Sequence, residues 1–331
     1  MRRVFHADYV GDLEPLDFER AQLGQIGAEL VAARCADRDE LIKKAAGAEV
    51  IWLEWVPPVD GYVLSALPEC RLVMRWGAGY DQIDVRAATE LGVAVANAPN
   101  YCTENVAEHA LALLLAMARG IAVRDAAMHG DGWRDPAYPH LRLAGRTLGI
   151  VGLGRIGRRV AELGAAFGCQ VIAHDVREDL IPPAGVRMTS LAGLMAEADF
   201  ASLHTVLNEG SQHLINAAVL AGAKPGLLLV NTSRGGVVDQ AALLAAIDAG
   251  IVAGAGLDVF ETEPLPADSP LRSCPAIVLT PHEASTSSEA DQDLRAEMCA
   301  ATAEWFETGW TGSVVNPEVR SRLRAKPDGD S

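Results

Sequence analysis

The chain has 331 residues, of which 50% are hydrophobic and 22% are charged, and its formal net charge is −16 at pH 7. The length allows two domains of ordinary size, and the composition is typical of a folded globular protein. The negative charge argues against a nucleic-acid-binding surface and against binding to an anionic membrane, because both need basic patches.

No apolar stretch near the N-terminus is long enough for a signal peptide, and the most apolar predicted helix segment, 107–118, is too short to span a bilayer. The six cysteines are scattered and lack the spacing of a zinc site. We therefore expect a cytoplasmic protein with reduced thiols, no bound metal and no membrane contact.

Residues 1–99 alternate predicted strands and helices, which indicates a parallel sheet with helices on its faces. The predicted strands are 4–5, 49–53, 72–74 and 93–96, and the predicted helices are 17–29, 39–46 and 60–66. A longer helix is predicted over 103–119, and its His109 is interpreted as a packed, hydrogen-bonded residue because the helix is mostly apolar.

Gly77 and Gly79 directly follow the strand predicted at 72–74, at the end of the sheet where open α/β folds bind ligands. A Gly-x-Gly loop can bind a small anion such as a carboxylate through its backbone N–H groups. It can equally be a tight turn that needs glycine for its dihedral angles. The segment alone leaves both interpretations open.

A glycine motif follows the apolar run 147–151, which predicts a buried strand. Gly152, Gly154 and Gly157 have G-x-G-x-x-G spacing, and a helical pattern continues over 158–167. This arrangement typically binds the pyrophosphate of a dinucleotide at the helix N-terminus. The alternative is an ordinary strand, turn and helix.

An acidic residue stands where a dinucleotide site needs one. Asp175 follows the predicted strand 170–173 and lies 21 residues after Gly154 (175 minus 154), about where a carboxylate binds the ribose hydroxyls. A carboxylate there favours NAD, because it repels the 2′-phosphate of NADP. Arg177 keeps NADP open as an alternative.

Four further strands are predicted at 198–203, 227–230, 254–260 and 277–279, with helices at 239–249 and 285–307. Three residues follow the last three of these strands: Arg234, Glu263 and His282. The carboxyl ends of parallel strands share one edge of a sheet, so we expect the three side chains to lie near the glycine turn.

The chemistry of these three residues fits the reduction of a 2-oxo acid. A histidine beside a carboxylate can hold the proton that a carbonyl oxygen accepts during hydride transfer. An arginine can bind a carboxylate in two places and polarise the adjacent carbonyl. Each residue taken alone could be an ordinary loop side chain.

The chain resembles the D-isomer-specific 2-hydroxyacid dehydrogenase family, which includes glyoxylate/hydroxypyruvate reductases and phosphoglycerate dehydrogenases. The resemblance covers residues 70–318. Its motifs, in chain order, are Gly77-Ala-Gly-Tyr-Asp-Gln-Ile-Asp84, Asn105-Val-Ala-Glu-His109, Thr147-Leu-Gly-Ile-Val-Gly-Leu-Gly-Arg-Ile-Gly157, Val230-Asn-Thr-Ser-Arg-Gly-Gly-Val-Val-Asp239, Leu257-Asp-Val-Phe-Glu-Thr-Glu-Pro264 and Thr280-Pro-His282.

The resemblance implies an α/β fold of two doubly wound parallel-sheet domains, in which a Rossmann cofactor domain is inserted into a flavodoxin-like substrate domain. The substrate domain would comprise 1–99 and 285–319, and the NAD-binding domain would comprise 100–284. From its polar composition, we expect 320–331 to be a disordered tail. The resemblance also implies a homodimer formed through the cofactor domain, and a small 2-oxo or 2-hydroxy acid of D configuration as substrate.

The family's site residues map onto this chain one by one. Its catalytic residues fall on Arg234, Glu263 and His282. The full set of expected cofactor contacts includes the glycines of the motif and Asp175. It comprises Thr103, Gly152, Gly154, Arg155, Ile156, Gly157, Asp175, His204, Thr205, Thr232 and Asp258. The family's substrate contacts fall on Ala78, Gly79 and Arg234, and we add Glu54 and Arg75 because they end neighbouring predicted strands.

Three positions depart from what the family usually has. Val206 replaces a proline on the adenosine side, and Glu283 replaces a small or aliphatic residue after the histidine. Glu54 would disfavour a second acidic group on the substrate, unless Arg75 neutralises it.

Other functions on the same fold remain open. Formate dehydrogenases carry glutamine where Glu263 stands, which counts against formate, whereas phosphite dehydrogenases keep the Arg/Glu/His set. The run 101–110 and Ser288-Glu289 also resemble the C-terminal-binding-protein branch of NAD-sensing corepressors. The tryptophan of that branch is Ser285 here, which weighs against a binding-protein role.

Overall fold

The computed structural model describes residues 2–8, 15–130, 132–133 and 140–325, and the chain divides into two compact units. Unit 1 comprises Met1–Cys102 and Ser287–Ser331, and unit 2 comprises Thr103–Thr286. The chain therefore passes between the units at 102/103 and 286/287, where the sequence placed the boundaries at 99/100 and 284/285.

Unit 1 contains a five-stranded sheet whose described strands are all parallel. Its strands are β1 (Arg2–Ala7), β2 (Ala28–Ala33), β3 (Val50–Leu53), β4 (Leu72–Arg75) and β5 (Ala94–Ala96). Its first four helices are α1 (Asp17–Gln25), α2 (Arg38–Lys44), α3 (Gly61–Ala66) and α4 (Val85–Glu90). The strand order β2-β1-β3-β4-β5 is that of flavodoxin-like folds, which confirms the expected fold class for this unit.

The helix predicted over 17–29 is too long. Helix α1 ends at Gln25, and the chain then forms strand β2, which pairs with β1 over its whole length. Gly27 adopts a φ of 68°, a left-handed conformation that ends a helix at no steric cost for glycine. Pairing with β1 buries Ala28 and Leu30, so burial in the sheet outweighs the helical pattern.

Unit 2 contains a seven-stranded parallel sheet of order β12-β11-β10-β9-β6-β7-β8. Its strands are β6 (Thr147–Val151), β7 (Gln170–His174), β8 (Val186–Met188), β9 (Phe200–Leu203), β10 (Leu227–Asn231), β11 (Val252–Leu257) and β12 (Ile277–Leu279). Its helices are α5 (Thr103–Arg119), α6 (Ile121–His129), α7 (Arg155–Ala166), α8 (Leu191–Glu197), α9 (Ala217–Ala221) and α10 (Gln240–Asp248). Two apolar clusters, one on each side of this sheet, form its core.

The sheet of unit 2 confirms the expected Rossmann architecture. Read outward from β6, one branch is β7 and β8 and the other is β9, β10, β11 and β12, so the strand order reverses at β6. The reversal next to β6 is the point where doubly wound sheets bind nucleotides. The glycine turn follows β6 directly, so the topology places it at this point.

The chain completes unit 1 with helix α11 (Ser288–Thr308). This helix packs on the sheet, where the indole Nε1 of Trp52 donates to Thr302 Oγ1 at 3.0 Å. Its Arg295 forms an ion pair with the fully buried carboxylate of Glu19 in α1. The apolar residues of α11 thus close one face of the sheet.

The expectation of a disordered tail from residue 320 is wrong for 320–325. The guanidinium of Arg324 donates to four backbone carbonyls, those of Leu64, Leu67, Cys70 and Leu91. A charged donor group that satisfies several buried carbonyls fixes the chain there. The rest of the expected tail, 326–331, lies outside the described residues.

Within the described ranges, no single helix has both the length and the apolar character needed to cross a membrane. Helices α5 and α6 reach that length and apolar character only when they are taken together, and a 63° bend separates them. Helix α5 buries much of its surface in the core of unit 2.

Candidate active site

The turn after β6 has the close backbone approaches that its glycines suggested. Gly152 has a φ of 90°, and a Cβ on it would lie 2.6 Å from the carbonyl oxygen of His204. A Cβ on Gly157 would overlap the carbonyl of Gly152. Both positions therefore require glycine, and the turn is held against the end of β9.

Two observations show that the carboxyl edge of the unit 2 sheet, at the glycine turn, fits a dinucleotide. A Cβ on Gly154, the residue that caps helix α7, would meet no atom within 4 Å, so space lies open at the helix N-terminus. The Thr232 hydroxyl is buried and has no hydrogen-bond partner among the described residues. An open helix N-terminus suits a pyrophosphate, and an unpaired buried hydroxyl suits a polar ligand atom.

Asp175 follows β7 and is tied to the glycine turn. Its Oδ2 accepts from the Leu153 amide at 2.8 Å, and its two oxygens accept from the Arg177 side chain at 2.8 and 2.9 Å. Arg177 lowers the pKa of Asp175 strongly through these hydrogen bonds and outweighs the opposing effect of burial. Asp175 is therefore ionised at neutral pH, as a ribose-binding carboxylate needs to be.

Other expected cofactor contacts lie at the same edge of unit 2. His204 follows β9, and its ring bonds to Ser202 Oγ at 2.8 Å. Burial lowers the pKa of His204 to about 3, so the ring is neutral. Thr205 follows it directly, Arg155 and Ile156 begin α7, and Thr103 begins α5. Arg155 is exposed.

His282 and Glu263 form a direct pair. Nδ1 of His282 lies 2.6 Å from Oε2 of Glu263, and the other carboxylate oxygen accepts from the Phe260 amide at 2.8 Å. Burial alone would raise the pKa of Glu263, but the bonds from His282 and Phe260 and the nearby charge of Arg234 lower it overall. The carboxylate is thus ionised and can stabilise an imidazolium.

Arg234 lies beside this pair because two loops touch. A Cβ on Gly235 would overlap the backbone of Phe260, so only glycine allows this contact. The carbonyl of Arg234 accepts from the side chain of Asn231 at 2.9 Å, which holds the loop at the end of β10. The predicted set of Arg234, Glu263 and His282 is therefore brought together within unit 2.

Asp258 holds the segment around His282 in place through hydrogen bonds. The sequence did not predict this role. The carboxylate of Asp258 is completely buried and accepts from Thr280 Oγ1 at 2.6 Å and from the amides of Glu283 and Ala284 at 3.0 and 2.9 Å. These bonds fix a segment in which His282 has a left-handed φ of 57°. Asp258 was expected only as a cofactor contact.

His109 also contacts this network. Its Nε2 lies 2.9 Å from Thr280 Oγ1 and 3.6 Å from Asp258 Oδ1. It is a partly buried, hydrogen-bonded histidine, in agreement with the structural role expected from its apolar helix. Glu283 departs from the family pattern, and its backbone amide belongs to the Asp258 network.

In unit 1, the Gly77–Gly79 loop follows β4. The carbonyl of Ala78 accepts from the Asn97 side chain at 2.6 Å, which holds the loop against the end of β5. Within the part of the chain that the structure describes, the amides of Ala78 and Gly79 donate no hydrogen bond. Two adjacent amides without acceptors are suited to a small anion.

Glu54 and Arg75 lie at the same edge of the unit 1 sheet, where each has contacts of its own. The Glu54 carboxylate pairs with His6, whose Nε2 lies 3.0 Å away. Arg75 is buried, donates to the Trp76 carbonyl and packs on the Trp55 ring at 4.7 Å.

Residues 111–284 match the sequence model of the D-isomer specific 2-hydroxyacid dehydrogenase family, NAD binding domain. The chain is 43% identical over 279 residues to glyoxylate reductase from Korarchaeum cryptofilum. That alignment covers 82% of this chain and 83% of the glyoxylate reductase. It is 42% identical over 295 residues to D-3-phosphoglycerate dehydrogenase from Mycobacterium tuberculosis.

The match to the mycobacterial protein covers 86% of this chain but only 55% of that relative, so the chain spans about half the length of the phosphoglycerate dehydrogenases it matches. Among solved structures, a glyoxylate reductase from Paecilomyes thermophila has a TM-score of 0.87 at 30% identity. That comparison covers 96% of this chain and 99% of the other.

Proposed function

Because the chain belongs to the D-isomer-specific 2-hydroxyacid dehydrogenase family, we propose that it is an NAD-dependent oxidoreductase acting on a small 2-oxo or 2-hydroxy acid of D configuration. The observation that carries this proposal is the His282–Glu263 pair beside Arg234, at the same sheet edge as the glycine turn. These are an acid/base group and an anion-binding group next to a dinucleotide site.

The residues that would hold NAD are those of the glycine turn, Asp175 and Thr232. The amides at the start of α7 would bind the pyrophosphate, Asp175 would bind the ribose hydroxyls, and the buried Thr232 hydroxyl would gain a partner. When bound, the nicotinamide supplies or accepts the hydride.

His282 handles the proton. Its Nδ1 is bonded to the ionised Glu263, so Nε2 is the atom that donates to the carbonyl oxygen in reduction and takes the proton back in oxidation. Glu263 keeps the ring oriented and stabilises its charged form. One hydride and one proton together convert the 2-oxo acid to the 2-hydroxy acid.

Arg234 binds the substrate carboxylate and polarises the neighbouring carbonyl, since a guanidinium can donate two parallel bonds to such a group. Within unit 1, we assign the amides of Ala78 and Gly79 to a substrate carboxylate, because they are two adjacent donors in a fixed loop. Anchoring one end of the substrate in this way orients its carbonyl for transfer.

The test is NADH oxidation with glyoxylate, hydroxypyruvate, pyruvate, phenylpyruvate and 2-oxoisocaproate, with phosphite assayed in the direction of NAD reduction. We expect turnover with at least one 2-oxo acid, and oxidation of the D but not the L form of its product. Binding of NADH without turnover of any 2-oxo acid would contradict the proposal, and turnover of phosphite alone would replace it.

We also propose a homodimer formed through unit 2. Helix α6 exposes two apolar side chains that a partner subunit could cover, Ile121 at 55% and Met128 at 52%. Light scattering of the purified protein should give twice the 35.0 kDa chain mass. A Met128→Glu variant that is monomeric and folded would locate the contact on α6, and a wild-type monomer would refute it.

A further inference from the structure

The carboxyl edge of the unit 1 sheet carries a cluster that the proposed reaction does not use. We call it the Glu54 cluster: His6, Trp52, Glu54, Trp55, Arg75 and Trp76. Strands β3 and β4 pair with Leu53 opposite Arg75, and the Trp76 amide donates to the Leu53 carbonyl at 2.7 Å. Glu54 therefore lies beside Trp76, two residues before Ala78.

The buried side of the Glu54 carboxylate lies against the ring of His6. His6 is 1% exposed, stacks on Trp76 with ring centroids 4.6 Å apart and contacts the edge of Trp52. Its Nε2 lies 3.0 Å from Glu54 Oε1. The imidazole is enclosed, whereas the Glu54 side chain remains 29% exposed, so the carboxylate is what this surface presents.

Three further side chains lie at this edge: Arg75, Asp8 and Trp55. Arg75 is 4% exposed and lies against the Trp55 ring and the Trp76 carbonyl, beneath the surface. Asp8, after β1, adds a second carboxyl, whose pKa is raised by burial and then by the charge of Glu54. Trp55 is 46% exposed and adds an indole face beside Glu54. The exposed surface is thus acidic and aromatic.

We propose that Glu54 and Trp55 determine which 2-oxo acids are accepted: substrates with an uncharged, apolar substituent are favoured and those with an anionic substituent are rejected. The inference rests on the proposed function, because it takes the substrate carboxylate to be held by the amides of Ala78 and Gly79. Glu54 and the Ala78–Gly79 loop follow neighbouring strands at one edge of the sheet, so the substituent of an acid bound at the loop can extend toward Glu54 and Trp55.

The expected discrimination follows from charge and contact area. A second anionic group near Glu54 meets a like charge, which at a partly exposed site is worth on the order of tenfold or more in affinity. An apolar substituent instead covers part of the exposed indole of Trp55. Both effects favour the uncharged substrate.

The test compares two acids of nearly equal shape, 2-oxoisocaproate and oxaloacetate, which end in a dimethyl group and in a carboxylate. Their binding to the enzyme saturated with NAD⁺ is measured by calorimetry, because an oxidised cofactor cannot reduce an oxo acid and binding is seen without turnover. Wild type, Glu54→Gln and the control Glu69→Gln are compared. Glu69 is exposed and precedes β4, at the opposite edge of the same sheet.

We expect wild type and Glu69→Gln to prefer 2-oxoisocaproate by about tenfold or more, and Glu54→Gln to lose most of that preference through tighter binding of oxaloacetate. Equal binding of the two acids by wild type, an unchanged preference in Glu54→Gln, or no binding of either acid would overturn the inference. Selective binding without any turnover in the NADH assay would leave it standing and would refute the proposed function instead.

Discussion

Nδ1 of His282 and Oε2 of Glu263 are 2.6 Å apart, although the two residues belong to loops after different strands. The pKa of Glu263 is lowered overall, so its carboxylate persists at neutral pH and is lost only as the pH falls through that lowered value. The contribution of this pair to stability and to catalysis is therefore present at neutral pH and lost in acid.

Glu263→Gln should lower kcat for 2-oxo acid reduction by about 100-fold, because an amide cannot stabilise the imidazolium that donates the proton. The acid limb that arises from protonation of Glu263 should be absent in the variant, because an amide does not titrate. Steady-state rates across pH with saturating NADH measure both effects.

A neighbouring carboxylate provides the control for this change. Glu261 accepts from the Gln240 amide at 3.1 Å and pairs with His213 at 3.0 Å. Glu261→Gln removes the same charge two residues away without touching the His282 pair. An equal fall in kcat in both variants would show that general loop electrostatics, rather than the pair, is responsible.

Asp258→Asn should place an NH₂ group against an amide donor, because the two carboxylate oxygens together accept from the Thr280 hydroxyl and two backbone amides. We expect a loss of about 1–3 kcal/mol in the free energy of unfolding. A fall of about tenfold or more in kcat should accompany it, because the His282 segment shifts. Urea unfolding and steady-state kinetics measure the two effects.

The matched change is Asp239→Asn at the N-cap of α10, where the carboxylate accepts from the Ala242 amide at 2.9 Å. It should alter stability slightly and leave kcat unchanged. If Asp258→Asn also left kcat unchanged at a comparable loss of stability, Asp258 would have no positioning role.

Gly154→Ala tests the cofactor cradle, because a methyl group there meets no protein atom within 4 Å. The variant should fold with wild-type stability but bind NADH about tenfold more weakly, since the added methyl enters the space assigned to the pyrophosphate. Gly24→Ala, also open to 4 Å, is the control. Undiminished NADH affinity in Gly154→Ala would move the cofactor away from this turn.

Asp175→Ser should reduce the preference for NADH over NADPH by about tenfold or more, because it removes the charge that repels a 2′-phosphate. The pKa of Asp175 is strongly lowered, so its carboxylate stays charged throughout the neutral and mildly acidic range. The ratio of kcat/KM for the two cofactors measures the preference. A wild-type ratio that already favours NADPH would identify Arg177 as the dominant group.

The strand ends of unit 2 were predictable because each strand is a short, buried apolar run with polar residues directly after it. This pattern predicted that Arg234, Glu263 and His282 lie at one edge of the sheet, where the structure has them. Strand β8 was missed because it is only three residues long and partly exposed, with arginine at its centre. Its residues form a strand because they pair with β7, although their composition does not predict one.

The supporting contacts were not predictable from local pattern. Asp258 acts through backbone amides 25 and 26 residues away, so its role depends on how β11 and β12 pair. His6 and Glu54 meet only because β1 and β3 are neighbours, which follows from the strand order and not from any motif. Such contacts appear once the sheet order is known.

The most direct test of the central claim is the effect of His282→Ala on NADH oxidation by the preferred 2-oxo acid, with NADH affinity measured in parallel. Loss of the proton donor should lower kcat by on the order of 10²–10⁴. NADH affinity should stay within a few-fold of wild type, since the residues assigned to the cofactor are untouched. Retention of kcat would contradict the role of His282 as the acid/base, and an equally large loss of NADH affinity would show that its role is structural.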